Sequence, residues 1–199
     1  GGLLAAAYSA GPAPMKRAGV LQIGSFLGLL FVGPMCLTSG AFVEWPPAFL
    51  IGVAVCFGLL QTAALLVNNA EDLREERVAN VRTATRALGR HRVFWVATAC
   101  AAVGAGGLPL WIPPANPLGF VLAAPFFVSG LATVVWAGRL AVVCAGQDLE
   151  TFERHTKKAG RSVPRALTAN AWAALLLSLG ARPDLWPDVV VTALAGLAA

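Results

Sequence analysis

Apolar residues in this chain come in long unbroken runs, and polar residues gather in the gaps between them. No Asp, Glu, Lys or Arg occurs over Ala18–Val43, Trp45–Ala70 or Val93–Gly138. An α-helix needs about 20 mostly apolar residues to cross a hydrocarbon core of about 30 Å. The pattern therefore predicts spans over Gly19–Val43, Pro47–Asn69, Val93–Leu110 and Leu118–Ala145. Glu44-Trp45-Pro46 is a tight turn between the first two, with an aromatic suited to the interface. Pro109, Pro113, Pro114 and Pro117 break the apolar run after the third, where Trp111 suits an aromatic belt. A fifth apolar segment, Ala166–Leu179, is short for a span unless Pro164 and Arg165 lie at its mouth. Between the fourth and fifth, Gln147–Arg165 carries Glu150, Glu153, Arg154, Lys157 and Lys158 at helical spacings and predicts a short surface helix. The tail Leu185–Ala199 is apolar again after Arg182-Pro183-Asp184, and reads as a re-entrant or broken continuation of the last helix.

Composition agrees with an integral membrane protein. Hydrophobic residues make up 57% of the chain and charged residues 13%, about half the share usual in soluble domains. The expected fold is all-α, a polytopic transmembrane bundle of about five spans, forming one domain over the 199 residues. Its expected partner is the lipid bilayer, with no nucleic acid. No basic start with a cleavage site precedes the first span, so no removable signal peptide is expected. Lys and Arg number 2, 6 and 5 in the loops before the first span, between the second and third, and between the fourth and fifth; Arg182 alone lies opposite. Positive charge accumulates on the cytoplasmic side, which orients the charged loops there. Arg139, inside the fourth span, is expected to snorkel toward that side. Cys36, Cys56, Cys100 and Cys144 are too widely spaced for a metal or disulfide framework and read as small packing residues. His91 and His155 are single and loop-bound, with no metal or catalytic partner in sequence.

Charge concentrates at one place. Ten charged side chains fall between Glu71 and Arg92, and the acidic ones open the run: Asn68-Asn69-Ala70-Glu71-Asp72-Leu73-Arg74-Glu75-Glu76. If the second helix continues for two more turns, Asn68, Asp72 and Glu76 stack at i, i+4 and i+8 on one face, with Glu75 beside them. Two carboxylates about 6 Å apart repel by roughly 3 kcal/mol at an effective dielectric near 20, which a cation between them would relieve. Carboxylates beside an amide suit Mg²⁺, which keeps several waters and bridges to substrate phosphates. The same residues interleave with Arg74 and Arg77, the pattern of a solvated face laced with weak ion pairs.

The run Asn68-Asn69-x-x-Asp72-x-x-x-Glu76, with Arg82-Thr83 and Leu88-Gly89 after it, resembles the second acidic motif of the UbiA-type membrane prenyltransferases. It is most similar to their menaquinone branch, which transfers a polyprenyl chain to 1,4-dihydroxy-2-naphthoate. Glu71 stands where that branch commonly has Arg, Glu76 replaces the second Asp, and Asn80-Val81 replaces Gly-Lys. The loop Tyr8-Ser9-Ala10-Gly11-Pro12-Ala13-Pro14 resembles a second signature of the branch, with Gly19-Val20-Leu21-Gln22 where those sequences carry G-L-G-E. The resemblance implies Mg²⁺ held by Asp72 and Glu76 and supported by Asn68 and Asn69. It implies diphosphate oxygens met by Lys16 or Arg82, and Tyr8 near the reacting carbon. It implies prenyl diphosphate and an aromatic acceptor as partners, and the inner membrane of a bacterium as location. The family's first acidic cluster has no counterpart here, so the chain is read as the carboxy-terminal two thirds of such a fold and as a piece of a longer gene product. The alternative is a non-catalytic relative whose charged loop solvates the surface or binds anionic lipid.

Overall fold

In the computed structural model, residues 19–25, 27, 47–113 and 117–181 are described. Among them the chain is all-helical. Helix α1 is Leu21–Ser25, α2 is Pro47–Glu71, and two short helices follow, α3 at Leu73–Val78 and α4 at Ala84–Leu88. Then come α5 at Val93–Trp111, α6 at Pro117–Val143, α7 at Leu149–Gly160 and α8 at Val163–Ala181.

Helices α2, α5 and α6 are long and apolar enough to cross a membrane. At 25, 19 and 27 residues and about 1.5 Å rise per residue they reach roughly 37, 28 and 40 Å. None is amphipathic: apolar side chains face outward as well as inward. Phe120, Val121, Phe127, Val128, Leu131 and Val135 of α6 are all exposed. Such a belt is tolerable only where hydrocarbon, not water, is the neighbour. The predicted second, third and fourth spans thus appear within a few residues of their expected bounds. The first falls mostly outside the described residues, as do Cys36, Arg182 and the tail after it.

The fifth segment corrects its predicted bounds. Helix α8 starts three residues earlier than expected, at Val163, so Pro164 and Arg165 lie inside its first turn. Proline is accommodated there because the first turn's N–H groups have no intrahelical acceptor. The helix has membrane length but carries Arg165, Thr168 and Asn170 in its first half, and among the described residues α2, α5 and α6 are the helices apolar enough to cross a membrane.

The bundle is held by close backbone contact, since lipid provides little hydrophobic drive between helices. Helix α5 packs along α2 and α6, and α8 packs along α6 and also touches α2. At the α2–α5 crossing Gly104 leaves no room for a side chain: a Cβ there would lie 2.5 Å from the Cys56 carbonyl oxygen and 2.6 Å from the Leu60 nitrogen. The α6–α8 contact is similarly tight, with the Gly119 carbonyl 2.7 Å from where a Gly180 Cβ would stand. Buried polar side chains add hydrogen bonds between helices. The Gln61 amide donates to the Leu167 carbonyl at 3.1 Å, and Ser129 and Thr133 of α6 both donate to Asn170 Oδ1. Cys56 and Cys144 are buried and Cys100 partly so, in keeping with packing roles.

Helix α7 is less superficial than its mixed charge predicts. Phe152 is fully buried and its ring stands 5.7 Å from that of Phe94. Glu153, Thr156, Ala159 and Gly160 are buried with it, against the carboxyl end of α2. Its charged residues hid this because the apolar edge is only two or three side chains wide. Asp148 caps it, its carboxylate accepting the Thr151 N–H at 2.8 Å.

Candidate functional site at the end of α2

The acidic stretch occupies the join between a membrane-length helix and a folded loop. Helix α2 ends at Glu71, and Asp72, at φ −87° and ψ 7°, turns the backbone just enough to begin α3. The Glu76 N–H still bonds to the Asp72 carbonyl at 2.9 Å. The expectation of two further regular turns is therefore corrected. Asn68 is exposed, Asp72 half-buried and Glu76 buried, so the three do not form one uniform solvent-facing stripe. The break turns Glu76 toward the protein, and Glu75 stays exposed.

Glu76 is only 6% exposed, and its Oε2 accepts a short hydrogen bond from the Thr83 hydroxyl. Thr83 is itself fully buried. Its hydroxyl oxygen also accepts the Arg86 N–H at 3.3 Å, which caps α4. One Glu-to-Thr contact thus closes the turn from α3 to α4, where Asn80 takes a left-handed φ of 50°. Arg86 braces the same turn by donating to the Val81 carbonyl at 3.2 Å and to Asn80 Oδ1 at 3.0 Å.

Gly19 and α1 are stitched to this loop at two points. The Gly19 N–H donates to the Arg82 carbonyl at 2.8 Å, and the Ala84 N–H donates to the buried Gln22 Oε1 at 2.8 Å. Gly19 has φ 62°, a value that glycine adopts at little cost. Residues 63 and 62 apart in sequence are so brought into direct hydrogen bonding. Arg82 keeps its side chain exposed, with its Nε 3.6 Å from where a Gly19 Cβ would stand. Lys16 and Tyr8 lie outside the described residues.

A second set of polar groups lies where α7 crosses the end of α2. Arg74 reaches the buried Glu153 at 3.8 Å, and Glu153 Oε1 has no hydrogen-bond partner. The Glu71 carboxylate rests against Gly160 in the space a side chain would fill. Asn69 Nδ2 is also buried without a partner, one turn before Asp72. Gln22, Thr83 and Glu153 are the contributors that the sequence reading missed. Gln22 had a legible signal, as a lone polar side chain at the start of a charge-free run. Thr83 had one only as part of a motif.

The donor set bears on a metal. Among the described residues no three His, Cys, Asp or Glu side chains converge as a ready-made cage. Mg²⁺ does not require one, because it is commonly held by one or two carboxylates with waters and substrate phosphates completing the shell. Asp72, half-buried, with the unpartnered Asn69 amide a turn away, fits that pattern. Glu76 fits as a carboxylate whose one oxygen is already oriented by Thr83. In comparisons with known proteins, no family model matches this chain, and no curated protein and no solved structure matches it either.

Proposed function

We propose that this protein transfers a polyprenyl group from a prenyl diphosphate to an aromatic acceptor, with 1,4-dihydroxy-2-naphthoate the favoured one, at the end of α2. The observation that carries the reading is the double stitch of Gly19 and Gln22 onto Arg82 and Ala84. It joins the segment that follows the Tyr8–Arg17 loop to the acidic loop, the two stretches of sequence on which the prenyltransferase resemblance rests. A chain whose charged loop served only as solvated surface has no need of a buried glutamine making that join.

Asp72 and Glu76 are the residues that would hold Mg²⁺, with Asn68 and Asn69 supporting the same site. When bound, the ion draws charge onto the diphosphate and so weakens the allylic carbon–oxygen bond. The chain's own residues do the rest. Thr83 fixes the Glu76 carboxylate in one rotamer, so that little reorganisation is needed when charge develops nearby. Arg82, exposed beside Gly19, supplies a cation for diphosphate oxygens, and Lys16 is assigned the same task. Tyr8 is assigned to the reacting carbon. Apolar walls between the helices take the prenyl tail. The cytoplasmic orientation of this loop follows from the excess of Arg and Lys around it.

A second reading has one observation in its favour. Glu76 is buried and hydrogen-bonded within the loop, which is the behaviour of a structural carboxylate in a non-catalytic relative. Asp72→Asn separates the two readings, because it preserves size and polarity while removing the charge a metal needs. In the full-length protein in detergent, transfer of a labelled prenyl group should fall by at least about 100-fold, the loss expected when a preorganised electrostatic group is removed. Added Mg²⁺ should restore little. Near-normal turnover and unchanged Mg²⁺ dependence in Asp72→Asn would refute the assignment.

A further inference from the structure

An open groove of about 550 Å³ runs along the surface between helices α6 and α8. Short side chains such as Ala132 and Ala169 leave the space open, and Trp136 and Trp172 border it. Its polar groups are unevenly disposed. Ser129 and Thr133, midway along, donate to Asn170 Oδ1 and are thereby engaged within the protein. Ser162 and Arg165 line the end where α8 begins. Arg165 is exposed and makes no ion pair among the described residues. From Arg165 the groove follows α8 to Leu176, eleven residues or about 16 Å at the helical rise. That distance is close to one leaflet, half of a hydrocarbon core of about 30 Å.

We infer that this groove is a binding slot for an anionic phospholipid, whose phosphate meets Arg165 and Ser162 and whose acyl chain lies between α6 and α8. The charge and the length both select this occupant. A phosphate supplies the anion that Arg165 lacks, and the amino end of α8 adds partial positive charge at the same place. Trp136 stands on α6 near that end, where an amphipathic ring suits the headgroup level. A neighbouring helix is a poorer fit. An apolar helix laid over the groove leaves Arg165 unpaired at the rim, where a phosphate would pair it. The slot is independent of the prenyl-transfer reading and goes beyond it.

The test is lipid retention by the full-length protein, read by native mass spectrometry from mixed micelles. These contain equal phosphatidylglycerol and phosphatidylcholine with identical acyl chains. Wild type should retain phosphatidylglycerol about fivefold over phosphatidylcholine, the factor expected of one cation at an anionic lipid. Arg165→Gln should bring that ratio close to one. Ala169→Trp, which fills the groove, should lower occupancy by both lipids, with circular dichroism reporting the fold of each variant. If Ala169→Trp does not fold, the Arg165→Gln ratio decides alone. The paired change Lys157→Gln and Lys158→Gln, on exposed positions of α7, should leave the ratio unchanged. The inference is overturned by a ratio near one in wild type, by an equal loss in the lysine pair, or by an Arg165→Gln protein that still prefers phosphatidylglycerol. Displacement of the retained lipid by a prenyl diphosphate, or a co-purifying polypeptide in its place, overturns it as well.

Discussion

Thr83→Val tests the loop at its most constrained point. Valine matches threonine in shape, so the substitution removes a hydroxyl from a fully buried position without opening a cavity. Two interactions go with it. The hydrogen bond to the Glu76 carboxylate is of the kind worth about 1.5–3 kcal/mol, because leaving a buried charged group short of a donor costs more than a neutral bond returns. The cap on the Arg86 N–H is worth about 1 kcal/mol. The expected loss is therefore roughly 2.5–4 kcal/mol. For a chain of this size each kcal/mol moves the unfolding midpoint by about 2–4 °C, so the midpoint in detergent, at fixed scan rate, should fall by about 5–16 °C. Thr83→Ser keeps both bonds and loses one buried methyl, about 0.8 kcal/mol, so it should fall by no more than about 3 °C. Pairing Thr83→Val with Glu76→Leu should recover part of the loss, because no carboxylate then remains to be satisfied. A Thr83→Val protein that melts with Thr83→Ser would show that the hydroxyl is not holding Glu76, and the account of the loop would fail.

Three further outcomes follow from the packing, the charges and the topology. Gly104→Leu should separate α2 from α5 and cost at least the 1–3 kcal/mol typical of overpacking, whereas Gly106→Ala, with nothing within 4 Å of its added Cβ, should be neutral or slightly stabilising; detergent unfolding of both variants compares them, and equal midpoints would count against the close crossing. The Thr151 N–H holds the Asp148 carboxyl below its ordinary range. A depressed folded value means that the cap's stabilisation is present above the unfolded pKa of about 3.9 and is lost as pH falls through the folded value. The protection factor of the Thr151 amide, its exchange relative to the intrinsic rate at the same pH, should fall on acidification in wild type, and a flat protection factor would contradict the cap. Single cysteines at the exposed positions Ala87 and Pro113, in a background lacking native cysteines, should react with impermeant maleimide from opposite sides of the membrane, and labelling of both from the same side would overturn the topology.

What the sequence determines by itself is the helical class and the position of three helices long and apolar enough to cross a membrane. Charge-free runs over Trp45–Ala70 and Val93–Gly138 have few other physical solutions, because about twenty consecutive apolar residues cannot be kept from water in so small a chain. The location of the charged loop follows for the complementary reason, since ten charges cannot lie in hydrocarbon.

Only the tertiary structure decided which side of the loop each carboxylate faces. Spacing places Asn68, Asp72 and Glu76 on one stripe, but a small turn at Asp72 sends Glu76 inward to Thr83 and leaves Asn68 outside. No periodicity encodes that turn, because it is stabilised by partners seven residues away for Glu76 and by Gln22, 62 residues from Ala84. The burial of Phe152 and Glu153 in α7 was hidden in the same way, since a narrow apolar edge on a charged helix acquires meaning only from the helix it meets. The groove between α6 and α8 belongs wholly to tertiary structure, because its lining comes from two helices that are 20 or more residues apart in sequence and meet only in the fold.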